Sequence, residues 1–160
     1  MKISVIVSAH NCEDTIRKCL VSLLEQTIWR KFDSEVIVVA NGCTDGTEAI
    51  VRRFVYNNKI KLFSFSQSLG FAGAMNEGYA NSTGEIVFPA MGSAYYAEDY
   101  MDLCVSHLFD PSIGSVYGFD LQWVDGSKLS TFLDEERRLI KIKYKPFSGW
   151  FFRRTDLQRL

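Results

Sequence analysis

Two kinds of apolar run alternate along this chain: short and nearly unbroken, then longer and helically spaced. Ile3 to Val7, interrupted only by Ser4, and Val36 to Val39 are rich in β-branched residues without polar alternation. That is the pattern of strands covered on both faces in a parallel sheet. Between them Ile16, Cys19, Leu20, Leu23 and Leu24 recur at i, i+3, i+4, i+7 and i+8, which predicts an amphipathic helix. Asn11 reads as its N-cap, and Glu13 and Asp14 fall in the first turn, where carboxylates suit the helix dipole. The unit then repeats. Val36 to Val39 leads to a helix from Gly46 to about Tyr56, Leu62 to Phe65 leads to a helix from about Ala72 to Ala80, and Ile86 to Phe88 makes a fourth strand. Three β-loop-α units in succession predict an α/β fold, a mostly parallel sheet with right-handed crossovers. Such an architecture suits nucleotides but does not by itself fix a function.

Glu98 and Asp99 read as first-turn acids of a helix running to Leu108. After Pro111 the character changes: Ser115 to Phe119, Leu139 to Tyr144 and Trp150 to Phe152 read as strands. Ile140, Ile142 and Tyr144 alternate with Lys141, Lys143 and Lys145, giving one apolar and one lysine face. From Arg137 to Arg159 there are eight Lys or Arg against one acid, Asp156. Two readings stand side by side: a solvated strand whose lysines block edge pairing, or a surface for anionic lipid or a diphosphate.

The stretch Glu35 to Thr47 (EVIVVANGCTDGT) carries the most information. A strand runs into Asn41 and Gly42, which tolerate positive φ, and Asp45 with Glu48 reads as a capping box for the next helix. In open α/β sheets ligands sit outside the carboxyl ends of strands, where this loop would lie. Asn-Gly is also a hairpin signal. Here, however, Ala49, Ile50 and Phe54 follow at helical spacing rather than as a second alternating run.

Bulk properties narrow the classes. At 160 residues and 47% apolar composition the chain suits one domain, 1–160, with one sizeable core. A net charge of −1 gives no global attraction to nucleic acid. Cys12, Cys19, Cys43 and Cys104 form no C-x-x-C pair and have no His at ligand spacing, so a zinc site is not expected. They read as reduced thiols of a cytoplasmic protein, with Cys12 and Cys19 on one helix face as packing residues. The longest apolar runs, Ile3 to Ala9 and Val36 to Ala40, are too short for a membrane span. Neither G-x-G-x-x-G after the first strand nor G-K-[ST] anywhere is present, which removes the dinucleotide fingerprint and the P-loop.

What remains is a series of strand-end motifs: SVIVSAHN (Ser4 to Asn11), VVANGCTDGT (Val38 to Thr47), LGFAGAMNEG (Leu69 to Gly78) and TGEIVF (Thr83 to Phe88). In this order and spacing they resemble the family-2 glycosyltransferases with the GT-A nucleotide-diphospho-sugar transferase fold. DPSIGSVYG (Asp110 to Gly118) and SGWFFRRTDL (Ser148 to Leu157) look like that family's later segments, so the resemblance covers nearly the whole chain. It implies a Rossmann-like, mostly parallel sheet flanked by helices with a mixed C-terminal part. Residues 1–96 would form the nucleotide-binding half and 97–160 part of the acceptor half. By the same resemblance Ser8, Ala9, His10 and Asn11 cradle the donor nucleotide, with His10 as the aromatic neighbour of the base; a structural role for that His is the other reading. Asn41 matches a polar position of the second motif, while Ala40 replaces an Asp that contacts the base in some members. Gly70, Phe71, Gly73 and Asn76 match the third motif, where small residues let the backbone approach the nucleotide and open a helix toward phosphates. Tight turns with close packing are the alternative for Gly70 and Gly73.

The family's D-x-D carboxylates, which hold Mg or Mn beside the donor diphosphate, would fall on Met91 and Ser93, with the next Asp on Ala94. Neither side chain is a hard anionic ligand, so no metal and no cofactor is assigned. The resemblance places the catalytic base past Leu160; Asp134, Glu135, Glu136 and Asp156 read as turn or helix-start acids, leaving the catalytic residues unknown. The expected function is transfer of a sugar from a nucleoside diphosphate sugar to a saccharide or lipid-linked acceptor, inverting, with weak or no metal-dependent catalysis. The alternative is a non-catalytic homologue that binds a nucleotide or a partner. Expected partners are the donor and the acceptor, no nucleic acid, and the inner face of a membrane through the basic C-terminal part.

Overall fold

The computed structural model describes residues 1–57, 60–117 and 150–157. Four strands run β1 (Lys2–Ala9), β2 (Asp33–Asn41), β3 (Ile60–Phe65) and β4 (Ile86–Met91). Helices α1 (Glu13–Leu24), α2 (Thr47–Arg52) and α3 (Gly70–Ala80) connect them. Then come α4 (Tyr100–His107), β5 (Ser115–Tyr117), β6 (Trp150–Arg153) and α5 (Arg154–Leu157). The sheet order is β3-β2-β1-β4-β6-β5. β1 pairs in parallel with both β2 and β4, and β2 with β3, whereas β6 is antiparallel to β4 and β5. This is the α/β, mostly parallel arrangement that the strand-loop-helix rhythm predicts.

Burial explains the unbroken apolar runs. From Ile3 to Ala9 and from Glu35 to Asn41 every residue is buried. One sheet face packs Ile3, Val5, Val7, Val36, Val38 and Phe88 against Ile16, Leu20 and Leu23 of α1 and Met101 and Val105 of α4. The opposite face packs Ile37 and Val39 against Ala74 of α3. Helices on both faces follow from the strand order. The chain moves outward from β1 to β3 and then returns to the other side of β1, so right-handed crossovers place α3 opposite α1. β6 meets β4 only at Ile86 and Val87, short of Pro89, which has no N–H to offer. Phe151 of β6 stacks on Phe88 at 4.2 Å between ring centres, and Tyr96 meets Phe88 edge-on at 5.2 Å.

Several local expectations are corrected. The second helix spans only Thr47–Arg52, and a separate 3₁₀ turn, Val55–Asn57, follows it. Cys12, not Asn11, is the N-cap of α1; it is half-buried and packs against the same core cluster as the buried Cys19. The Asp45–Glu48 capping box does not form: Gly46 is the N-cap of α2, and the Glu48 carboxylate accepts from Arg52 Nε at 3.1 Å. Ser115–Tyr117 and Trp150–Arg153 are strands as expected, while Leu139 to Tyr144 and its lysine face lie outside the described residues.

At the amino ends of the strands a buried carboxylate gathers four segments. Glu35 is 4% exposed and accepts from Ser4 Oγ at 2.7 Å, Lys61 Nζ at 2.8 Å, Thr83 N at 2.7 Å and Thr83 Oγ1 at 2.9 Å. The Ser4 hydroxyl in turn accepts from Gly84 N at 2.7 Å. Burial pushes the Glu35 pKa up, but the hydrogen bonds from Lys61, Ser4 and Thr83 outweigh it and bring it down to about 2. A carboxyl lowered on folding stabilises the protein above its ordinary pKa, and that stability is lost as pH falls from about 4.5 toward 2. Glu35→Gln is therefore expected to lower unfolding stability at pH 7 by roughly 3 kcal/mol. In urea melts across pH the gap to wild type should close between pH 4.5 and 2; a gap unchanged over that range would refute the assignment.

Candidate functional site

β1 and β4 lie side by side in parallel register, Ser8 opposite Met91, so both end at one rim of the sheet. Strand order reverses between these two strands, the switch point at which α/β sheets take their ligands. Here lies a cleft of about 330 Å³. Ser8, His10 and Cys12 line it from the first strand and its loop, Asn41, Ser68 and Phe71 from one flank, and Met91, Gly92 and Ser93 from the other.

Hydrogen bonds lock the loops that carry these groups. His10 Nδ1 lies 2.7 Å from the Asn41 carbonyl. A carbonyl only accepts, so the proton sits on Nδ1 and the Nε2 edge remains for a ligand. The Asn41 side chain is 3% exposed and is used at both ends: Oδ1 accepts from Leu69 N at 2.7 Å and Nδ2 donates to Gly70 O at 3.1 Å. It thereby ties the end of β2 to the start of α3. Gly42, at φ 68°, passes so close to this loop that a Cβ would stand 2.5 Å from Ser68 N.

α1 and α2 cap each other. Glu13 of α1 accepts from Gly46 N at 2.6 Å through Oε2, while Asp45 accepts from Glu13 N at 3.1 Å and from Thr47 N at 3.0 Å. Hydrogen bonds from Thr47 hold the Asp45 carboxyl below its ordinary value. Asn11, at φ 44°, turns its Oδ1 to Thr44 N at 2.8 Å, and Cys12 N donates to Thr47 Oγ1 at 2.8 Å. Burial pushes the Cys12 thiol up, so it presents a neutral sulfur to the cleft. Burial likewise raises Cys19 and Cys104 to about 12, and all four cysteines are free.

Of the residues singled out from sequence, Ser8, His10, Asn41 and Phe71 line the cleft, as do Met91 and Ser93 at the supposed metal positions. The others take different places. Ala9 is fully buried in the core, and its carbonyl accepts from Cys43 Sγ at 3.3 Å. Asn11 fastens one loop to the next instead of facing the cleft. Gly70, at φ 71°, opens α3 with nothing within 4 Å of a notional Cβ, Gly73 packs on Leu69, and Asn76 is exposed one turn further on. Cys12, Ser68 and Gly92 complete the lining and were not singled out; each sits within two residues of a motif position, which is the one signal for them. Among the described residues no group of three His, Cys, Asp or Glu is placed to hold a metal ion, and no helix is long and apolar enough to cross a membrane.

Residues 4–160 match the family described as glycosyl transferase family 2. Glycosyltransferase GlyA of Streptococcus pneumoniae is 30% identical over 123 residues, covering 74% of this chain and 17% of that protein. Glycosyltransferase AglE of Haloferax volcanii is 33% identical over 118 residues, covering 72% of this chain and 38% of that one. Among solved structures, mannosyltransferase PcManGT from Pyrobaculum calidifontis, in complex with GDP-Man and Mn2+, superposes with a TM-score of 0.69 at 32% identity, over 74% of this chain and 35% of its own. The chain thus spans well under half the length of these relatives.

Asn41→Ala removes both bonds to the α3 loop. It is expected to cost about 1–2 kcal/mol in chemical unfolding, a modest loss because Leu69 and Gly70 are exposed residues whose backbone groups can pair with water instead. The specific mark is faster hydrogen exchange at the Leu69 amide; unchanged protection there would show that Asn41 does not hold this loop.

Proposed function

This chain belongs to glycosyl transferase family 2, and on that premise we propose that the cleft receives the nucleotide of a nucleoside diphosphate sugar as the donor side of a sugar transfer. The mostly parallel, helix-flanked sheet is that of GT-A transferases. The observation that carries the reading is convergence: Ser8 and His10 from β1 and its loop, Asn41 from β2 and Phe71 from α3 meet in one 330 Å³ space. That space lies at the switch point, where α/β sheets take their ligands. A related mannosyltransferase was solved with GDP-Man, which supports a donor of this chemical class.

In this reading Phe71 and the open Nε2 edge of His10 take the base, by stacking and hydrogen bonding. Asn41 acts at one remove, because both ends of its amide hold the α3 loop. Ala9, Asn11, Gly70, Gly73 and Asn76 shape the backbone around the donor rather than line the cleft. The acceptor is a saccharide or a lipid-linked saccharide. Its hydroxyl oxygen attacks the anomeric carbon in line, the bond to the diphosphate oxygen breaks with inversion, and the hydroxyl proton passes to a carboxylate base. No described residue is assigned as that base. Asp156, the one described acid beyond Asp110, is bound to Arg153 Nε at 2.8 Å. Asp134, Glu135 and Glu136 lie outside the described residues, as does most of the basic segment proposed to meet a membrane.

Thermal unfolding tests the donor site. At a hundredfold excess over Kd, UDP or GDP should stabilise the protein by about 2.7 kcal/mol. For a domain of this size that is a rise in Tm of roughly 5–11 °C. Phe71→Ala should weaken the same nucleotide about tenfold through loss of ring stacking. If none of the UDP, GDP, ADP, CDP and dTDP series moves Tm at millimolar concentration, the cleft is not a donor site.

A further inference from the structure

We infer that the cleft takes its nucleoside diphosphate without a divalent cation, holding the diphosphate with Ser8 and the amino end of α3. This rests on the donor-site reading above. Mg and Mn bind hard, preferably anionic oxygens, and keep near-octahedral shells. The carboxyl end of β4, where the relatives' acids would stand, offers a thioether at Met91 and a neutral hydroxyl at Ser93. Two of its backbone oxygens already accept hydrogen bonds. Met91 O accepts from Ala94 N at 3.0 Å and from Cys19 Sγ at 3.4 Å, and Gly92 O accepts from Thr15 Oγ1 at 3.1 Å. The Asn41 amide oxygen is taken by Leu69 N. Neither Glu13, which accepts from Gly46 N, nor Asp45, which accepts from Glu13 N and Thr47 N, lines the cleft, and no described group of three His, Cys, Asp or Glu could hold a metal ion. The described donor set therefore does not fit the family's metal.

It does fit an anion. Ser8 is 9% exposed, lines the cleft, and its hydroxyl bonds to no described residue. Its oxygen is not sealed in the core but open to the cleft, where it can donate to a ligand. Strand alternation puts Ser8 on the face of Ile6, the residue against which Gly78 of α3 packs. α3 runs for 11 residues, and Phe71 of its first turn lines the same cleft. Gly70 N donates to Ser68 Oγ at 3.2 Å, while helix geometry leaves the N–H groups of Phe71 and Ala72 without intrahelical acceptors. Those groups and the helix dipole favour a diphosphate, and the Ser8 hydroxyl adds a neutral donor at the floor.

Calorimetric titration of the whole chain with UDP and GDP, in EDTA and in millimolar Mn2+, tests this. The expected result is binding in both buffers with Kd values within about threefold. Binding that Mn2+ tightens by more than that overturns the inference and leaves the donor site standing. Absence of binding in both buffers overturns the donor site and the inference together. Met91 is 39% exposed and Ser93 exposed, so both accept acids without disturbing the core. Met91→Asp with Ser93→Asp should make binding respond to Mn2+ by at least tenfold. A double variant that folds, as judged by circular dichroism, and stays indifferent to Mn2+ overturns the placing of the diphosphate beside β4. Ser8→Ala should cost about fivefold for UDP in EDTA and leave uridine unaffected. Equal losses for UDP and uridine would overturn its role toward phosphate.

Discussion

Parallel pairing of β1 with β2 on one side and β4 on the other is the constraint on which everything else rests. Parallel strands bring their carboxyl ends to the same rim, and the register Ser8 to Val39 and Ser8 to Met91 brings three loops to one level. Antiparallel pairing at either neighbour would carry one of those loops to the opposite rim and leave no crevice. The cost of this arrangement is that β1 and β2 are covered on both faces. Side chains from Ile3 to Ala9 and from Glu35 to Asn41 are therefore apolar or hydrogen-bonded, except Ser8 at the cleft.

The polar residues in those strands show how that condition is met. Ser4 and Glu35 sit at the amino ends and are joined to each other, to Lys61 and to Thr83, so that one buried carboxylate gathers β1, β2, β3 and the approach to β4. Asn41 sits at the carboxyl end of β2 and is joined to Leu69 and Gly70. Ser8 at this rim has a hydroxyl bonded to no described residue, and it lines the cleft together with Ser93 and the open Nε2 edge of His10. The polar side chains at the amino ends of these strands are paired, whereas the carboxyl-end rim keeps open polar groups, which is where a ligand is proposed to bind.

The rim is also braced from outside the sheet. Reciprocal capping by Glu13 and Asp45 fixes α1 and α2 relative to each other. Below the β4 loop, Phe88, Tyr96, Tyr100 and Phe151 form an aromatic cluster that supports the turn carrying Gly92 and Ser93. The capping engages the Glu13 and Asp45 carboxylates with backbone N–H groups of the neighbouring loop.

Period and spacing in the sequence were enough to show the order of strands and helices, the parallel sheet and the level of the cleft. An all-buried strand has an unmistakable pattern, and strand ends follow from it. The four motifs likewise located Ser8, His10, Asn41 and Phe71, and the absence of acids at Met91 and Ser93. What sequence could not reveal was which polar groups answer each other across long separations. Glu35 and Asp45 look alike in a one-dimensional pattern, an acid near a strand and an acid near a helix. Yet one bonds 48 residues away to Thr83, and the other caps a helix 32 residues back at Glu13. Asn11 was read as a cap and Asn41 as a ligand contact because local rules see only neighbours in the chain. Tertiary structure decided that both bind loops together, since a hydrogen bond is satisfied by whichever partner the fold brings within 3 Å and not by the nearest one in sequence.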